Sequence, residues 1–195
     1  YAAAAYKTPL RFEPYAMNSS VNDPDALQYF PILTGDENQM VFTRRYKGGQ
    51  NEDIYISKRT GSSWHAAKKL EGAINGPEGE GTATITADGN TLICSYCGDS
   101  RENMGNCDLY YSTLENGSWK KLKNMGSTIN SKHYEAQPTL SADGRVLLFI
   151  SDRPDGIGGL DIYKSMKDNE GNWSAPKNLG AIVNTAANEG SPFLH

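Results

Sequence analysis

The stretch Asp161-Ile162-Tyr163-Lys164-Ser165, followed by Trp173 and then by Val183-Asn184, decides the fold, because the chain writes it three times. Its counterparts are Asp53-Ile-Tyr-Ile-Ser57 with Trp64 and Ile74-Asn75, and Asp108-Leu-Tyr-Tyr-Ser112 with Trp119 and Ile129-Asn130. The aspartates lie 55 and 53 residues apart, the tryptophans 55 and 54, and the asparagines Asn75, Asn130 and Asn184 again 55 and 54. Three unrelated residue types holding one phase is not chance. A period this long, built from short β-type runs, indicates propeller blades rather than a helical solenoid.

Working outward, each unit opens with a run ending in Thr or Ser: residues 29–34, 81–86 and 136–141. Asp88-Gly89 and Asp143-Gly144 follow, and they supply the left-handed positions expected of two-residue hairpins. The first copy carries Glu37 in place of the glycine, so its turn is the one expected to differ. Second runs occupy 39–43, 91–95 and 146–150, the aspartate triplet starts the third, and the tryptophan marks the fourth. Asn116-Gly117 and Gly171 precede two of the tryptophans with further hairpin chemistry. No window sustains a helical period, and β-branched and aromatic residues dominate the runs. The expectation is an all-β chain: a partial β-propeller of three four-stranded antiparallel blades at 28–75, 76–130 and 131–184. Residues 1–27 read as the end of a preceding blade and its linker, and 185–195 as the first strand of a further one. Propellers close with about four to eight blades, so the sequence reads as part of a larger ring; the alternatives are an open propeller assembled with another chain and a non-propeller packing of three sheets.

Composition narrows the function. Hydrophobic residues are 37% of the chain, charged residues 22%, and the net charge is −4, which suits a packed domain. Basic residues form no stripe interleaved with aromatics, which argues against nucleic-acid binding. The apolar runs are strand-sized, so no transmembrane segment is expected. His65, His133 and His195 fall at unrelated repeat positions, and neither a metal nor a cofactor is expected.

Alignment of the copies also sorts the cysteines. Cys94 takes the place of Phe42 and Phe149 and reads as a small core residue. Cys97 ends a second strand and Cys107 precedes the next, an antiparallel neighbour, so their Cα atoms can come within disulfide range. A bridge would staple residues 98–106 and imply an oxidising compartment. The alternative is two free thiols; two thiolates without a nearby histidine make a poor metal site.

The pattern Ser141-Ala-Asp143-Gly-x-x-Leu147-Leu-Phe149-x-Ser151-Asp-Arg153-Pro, then Gly158-Gly-Leu-Asp161-Ile-Tyr163, Trp173 and Asn178-Leu-Gly180-x-x-Val-Asn184 resembles the WD-like, PD-type propeller repeats related to TolB. The variant with a blade-ending Leu-Gly-x-x-Ile-Asn is similar to repeats in envelope proteins of Bacteroidetes-type bacteria. There such blades accompany a tetratricopeptide region, a small β-sandwich and an OmpA-like peptidoglycan-binding domain. One such group is that of the PorE-like components of type IX secretion and gliding, which the Cys97 and Cys107 pair also resembles. The resemblance covers roughly residues 12–195 and is strongest in the third copy. The first copy departs at Glu37 and has one extra residue between Asn22 and Gln28. The resemblance implies a periplasmic, outer-membrane-associated scaffold whose partners are other envelope proteins, outer-membrane or lipoprotein. Peptidoglycan would be reached only through a domain outside this chain.

The acidic residues argue in the same direction. Glu80, Glu135 and Glu189 each follow the linker asparagine by five residues, with Gln28 in the first copy. A carboxylate that recurs once per blade is expected to meet a need of every blade, here a hydrogen bond between the linker and the next inner strand. Asp53, Asp108 and Asp161 are expected to accept backbone N–H groups where a loop enters the third strand. Catalysis instead needs residues that break the repeat. Such acids exist (Glu78, Asp99, Glu102, Asp152, Asp155), and they keep open a propeller glycoside hydrolase or a glycan-binding protein. The reading favoured here is non-catalytic, with partner contacts in the variable loops at Arg44, Arg45, Asp99, Arg101, Asp152, Arg153 and Asp155.

Overall fold

The computed structural model describes residues 13–194 apart from residues 50, 73, 78 and 99–101. Within them the chain is all-β, and no helix occurs among the described residues. Each repeat is one antiparallel sheet. The first comprises β1 (Ala26–Leu33), β2 (Gln39–Tyr46), β3 (Asp53–Thr60), β4 (Ser63–Trp64) and β5 (Lys68–Lys69). The second comprises β6 (Glu80–Ile85), β7 (Thr91–Tyr96), β8 (Asp108–Glu115), β9 (Ser118–Trp119) and β10 (Lys123–Asn124). The third comprises β11 (Glu135–Leu140), β12 (Val146–Ser151), β13 (Asp161–Met166) and β14 (Lys177–Asn178). Strands follow one another across each sheet, the arrangement of a propeller blade.

The turns after the first strands differ from expectation in a uniform way. Thr86 N–H bonds the Thr91 carbonyl at 2.9 Å and Gly89 N–H bonds the Thr86 carbonyl at 2.8 Å, so four residues form the loop, not two. Asp88 closes it by accepting the Thr86 hydroxyl at 2.5 Å and the Asn90 N–H at 3.0 Å. Asp36 and Asp143 repeat the arrangement. The hydroxyl and N–H donors hold all three carboxyls below the usual range. The left-handed position is Gly89 in one copy and Gly144 in another, with φ of 72° and 66°. Glu37 adopts it too, at φ 56°, so the first turn is not different; it carries the strain of a side chain where glycine fits. Asn116 and Gly117, both at positive φ, do make the two-residue hairpin expected of them.

The fourth strand is also not continuous. The tryptophan pairs beside the end of the third strand, and a second short segment pairs lower down: Arg59↔Trp64 then Tyr55↔Lys69, and Leu114↔Trp119 then Tyr110↔Asn124. The last residue of the Asp-x-Tyr-x-Ser motif explains the break. The hydroxyls of Ser57, Ser112 and Ser165 donate to the carbonyls of His65, Lys120 and Ser174 at 2.6 Å each, replacing a backbone bond and letting the edge step out.

Alternation along the strands sends one face to each neighbour, so the sheets stack. Val41, Ile54, Ile74, Leu92, Cys94 and Tyr110 fill the layer between the first and second sheets. Ile93, Leu109, Ile129, Leu147, Phe149 and Tyr163 fill the next. Val21, Phe42 and Tyr55 cover the far face of the first sheet with Met17 and Trp64. Every side chain of the middle first strand, β6, is buried because sheets lie on both sides of it. The first strands run side by side: Gln137 N–H and Leu140 N–H donate to the hydroxyls of Thr82 and Thr84 at 2.9 and 3.3 Å. Each is interrupted by a bulge. Phe30 and Gln137, each preceding a proline, take φ of 53° and 52° at those of β1 and β11, and Ser191, also before a proline but outside any strand, takes 51°. Proline lacks an N–H and is tolerated because these strands are sheet edges.

Candidate functional site

Loops and linkers meet at one end of the stack, and the repeated polar residues are built into that end. The linker asparagine acts as a strand: Asn130 Oδ1 accepts Leu109 N–H at 2.8 Å while its amide donates to the Leu109 carbonyl at 2.9 Å. Asn75 does the same to Ile54, and Asn184 to Ile162. Asp108 accepts the N–H groups of Met104 and Gly105 at 2.9 and 3.1 Å and the Asn124 amide at 2.7 Å. Asp161 accepts Ile157 and Gly158 N–H and the Asn178 amide. Burial works against the Asp161 anion, but these donors hold the carboxyl below its usual range. In the first blade Lys69 replaces the asparagine and pairs with Asp53 at 2.8 Å. The loops are thereby pinned, residues 154–159 included. A Cβ on Gly105 would lie 1.8 Å from the His133 carbonyl, and one on Gly158 2.3 Å from that of Ala187, so only glycine lets the loop meet the next linker.

The repeated glutamates sit beneath the linkers. Glu80 accepts Gly76 N–H at 3.0 Å, Glu135 accepts Ser131 N–H at 2.9 Å, and Glu189 accepts the Thr185 hydroxyl at 2.6 Å. Glu135 is fully buried and also takes the hydroxyls of Ser131 and Ser151 at 2.6 and 3.0 Å and the Arg153 guanidinium at 2.8 Å. Glu80 is 1% exposed, and its Oε2 has no hydrogen-bond partner among the described residues. Desolvation, aided by the Asp53 charge, outweighs the backbone donors and nearby Lys69 and pushes Glu80 up to about 7.

Two of the arginines expected to face a partner turn inward instead. Arg44 is buried, lies over the Phe42 and Tyr55 rings at 5.5 and 4.4 Å, and donates to the Val21 carbonyl at 2.6 Å. Arg153 lies over Phe149 and Tyr163 at 5.5 and 5.0 Å and donates to the Ile129 carbonyl at 2.8 Å. Both therefore clamp the linker that enters their blade, and the aromatic pair compensates the desolvated cation. Arg45 is half-buried. Asp152 is exposed and accepts Tyr134 N–H at 2.9 Å beside His133, and Asp155 accepts the Tyr163 hydroxyl at 3.0 Å. Asp99 and Arg101 lie outside the described residues, as do Glu78 and His195.

The second blade uses other means. Cys97 and Cys107 form a disulfide with Cα atoms 4.1 Å apart. Cys107 is also paired with Tyr134, and its carbonyl accepts Glu135 N–H at 2.9 Å, so the staple abuts the seam to the third blade. Cys94 is a free, buried thiol. No cluster of metal-ligating side chains occurs among the described residues, nor a helix long and apolar enough to cross a membrane.

At the opposite end, between the turns and across the three first strands, runs a groove of about 1030 Å³ lined by Tyr15, Met17, Pro31, Leu33, Trp64 and Phe193, among others. Tyr15 is 89% exposed, Phe193 64% and Leu33 41%, an unusual collection of open apolar surface.

No family model matches the sequence, and no curated protein matches it. Among solved structures, a prolyl endopeptidase is similar at 16% identity and a TM-score of 0.50, over 78% of this chain and 22% of its own. A puromycin-hydrolysing peptidase of Mycobacterium tuberculosis matches at 17% identity and 0.50, over 80% and 23%. TolB of Acinetobacter baumannii matches at 18% identity and 0.47, over 76% and 32%. At such identities the likeness is one of fold. The chain spans less than a third of each of these proteins.

Proposed function

We propose that this chain is a non-catalytic protein-interaction module of a bacterial cell-envelope assembly, held in the periplasm and associated with the outer membrane. One observation carries the reading: the glutamates that follow each linker asparagine from Asn75 on are hydrogen-bonded into the seams, while an open apolar groove and loops of unequal length are turned outward. Rigid blades presenting variable loops suit recognition. The disulfide supports an oxidising compartment. The partners are other envelope proteins, in a secretion or gliding assembly of the type IX kind, and any link to peptidoglycan runs through a separate domain.

The test is affinity capture from detergent-solubilised envelope of the native host, with the captured molecules identified by mass spectrometry. Recovery of defined outer-membrane proteins, lost when residues 98–106 and 154–159 are replaced, is the expected result. Recovery of a glycan that is cleaved on incubation, with no protein, overturns it.

A further inference from the structure

One pocket is the mould of a side chain that the blades on either side of it contain. In the first and third blades an arginine lies on the aromatic pair and donates to the carbonyl just before the linker asparagine, Val21 or Ile129. In the third it also meets the inner-strand carboxylate Glu135. The second blade keeps the receiving groups. Ile74 precedes Asn75, Tyr110 takes the place of Tyr55 and Tyr163, and Glu80 that of Glu135. Among the described residues it has no arginine to fill them: Tyr96 stands at the position of Arg44, Gly98 at that of Arg153, and Cys94 where the neighbouring blades have phenylalanine.

The result is a cavity of about 390 Å³ lined by Ile74, Asn75, Glu80, Tyr96 and Tyr110, with Glu102 and Lys121 also on its wall. Its volume is within the range of small-ligand sites. Glu80, almost fully buried, forms part of its wall, and one of its carboxylate oxygens has no hydrogen-bond partner among the described residues; such an orphaned acceptor calls for a donor. The Tyr96 and Tyr110 rings, 5.3 Å apart, offer aromatic faces.

We propose that this pocket binds a guanidinium group supplied by a ligand, either an arginine side chain of a partner or a small guanidino compound. A planar fork can meet the Glu80 carboxylate and the Ile74 carbonyl while lying on the Tyr110 ring, as Arg153 does in its own blade; an ammonium cannot do all three. Exposed Lys121 disfavours a second compact cation and does not reach across a flat, stacked one. The site is independent of the interaction-module reading. Probe binding to the pocket can fail while partners are captured through the loops, and the reverse.

The test is a titration of the isotopically labelled chain at pH 8, followed by NMR, with acetyl-arginine-amide, free arginine and acetyl-lysine-amide as probes. An Arg101→Ala background keeps the chain's own loop guanidinium out of the comparison. Saturable shifts at Glu80, Tyr96, Tyr110 and Lys121 are expected from both arginine probes, with the lysine probe and the Glu80→Gln variant weaker by about tenfold or more. Tighter binding of the capped probe assigns the ligand to a peptide, and tighter binding of free arginine to a small molecule. Absence of saturable shifts at these residues, an equal response to lysine, or binding unchanged by Glu80→Gln overturns the proposal. Should Glu80→Gln not fold, the unaltered chain decides. Affinity for the capped probe should fall about tenfold or more between pH 8.5 and pH 5.5 as Glu80 takes its proton, with Asp53, Lys69, Glu102 and Lys121 the other charges facing it. An affinity independent of pH overturns it equally.

Discussion

Glu135 and Glu80 occupy the same place in successive blades and live under opposite conditions. Glu135 receives Ser131 N–H, two serine hydroxyls and the Arg153 guanidinium, whereas Glu80 receives the Gly76 N–H on one oxygen and nothing on the other among the described residues. The neighbouring differences are correlated. Ser131 becomes Gly76, Ser151 becomes Tyr96 and Arg153 becomes Gly98, so the side-chain donors are withdrawn together and only the backbone N–H remains. The Cys97–Cys107 disulfide then holds the loop that Arg153 helps to hold in the third blade. A repeat can thus conserve a carboxylate while changing what satisfies it, from an internal cation to a covalent staple and an open pocket.

The largest expected effect is at Arg153. Arg153→Met leaves Glu135 buried without its cation and is expected to cost about 3–5 kcal/mol by denaturant unfolding. A cost below about 1 kcal/mol would mean that the third seam does not depend on the clamp. Opening the second blade's staple by Cys97→Ser with Cys107→Ser should cost about 2–3 kcal/mol, the entropy of closing a loop of this length, measurable by the same unfolding curves.

The two carboxylates should also separate by pH. Burial raises Glu80 from the ordinary 4.5 to about 7, so the folded chain holds that proton more tightly than the unfolded chain. This stabilisation is complete below about pH 4.5 and is lost as pH rises through about 7. Relative to Glu80→Gln, the unaltered chain should therefore lose on the order of 2 kcal/mol between pH 4.5 and pH 7.5. Parallel pH profiles for the two proteins would show that Glu80 does not titrate as described. The smallest effect concerns the turns. Glu37→Gly should stabilise by about 0.5–1 kcal/mol, because glycine takes the left-handed position freely and the exposed Arg59–Glu37 pair at 3.5 Å contributes little. A thermal shift to lower temperature would contradict this.

Much of the blade was legible in the sequence because each landmark residue answers a need that returns with the period. Asp161, Asn184 and Trp173 could be phased without coordinates, and their phase located the sheets. The arginine clamp was not legible. Arg44 lies two residues beyond its aromatic partner Phe42 and Arg153 four beyond Phe149, so alignment sets them against different residues, and only the folded loops bring both guanidinium groups to the same carbonyl. Ser57, Ser112 and Ser165 were visible as part of a run, but strand periodicity says nothing of a hydroxyl that takes over an edge carbonyl and splits the fourth strand. The vacancy beside Glu80 was hidden for a related reason: a pocket is written as missing side chains, and a glycine or a cysteine in an alignment does not say what space it leaves.

The central claim is that the recurring carboxylates hold the seams and are not reserved for chemistry. It is tested most directly by a double-mutant cycle on Glu135→Gln and Arg153→Met, read by equilibrium unfolding at pH 7. Each single change should be strongly destabilising, and the pair should cost less than their sum by about 2 kcal/mol or more, because the second change removes a group the first has already orphaned. Additive costs within about 0.5 kcal/mol, with Glu135→Gln itself nearly neutral, would show that Glu135 is not holding the seam and would return the repeated carboxylates to the list of groups available for catalysis.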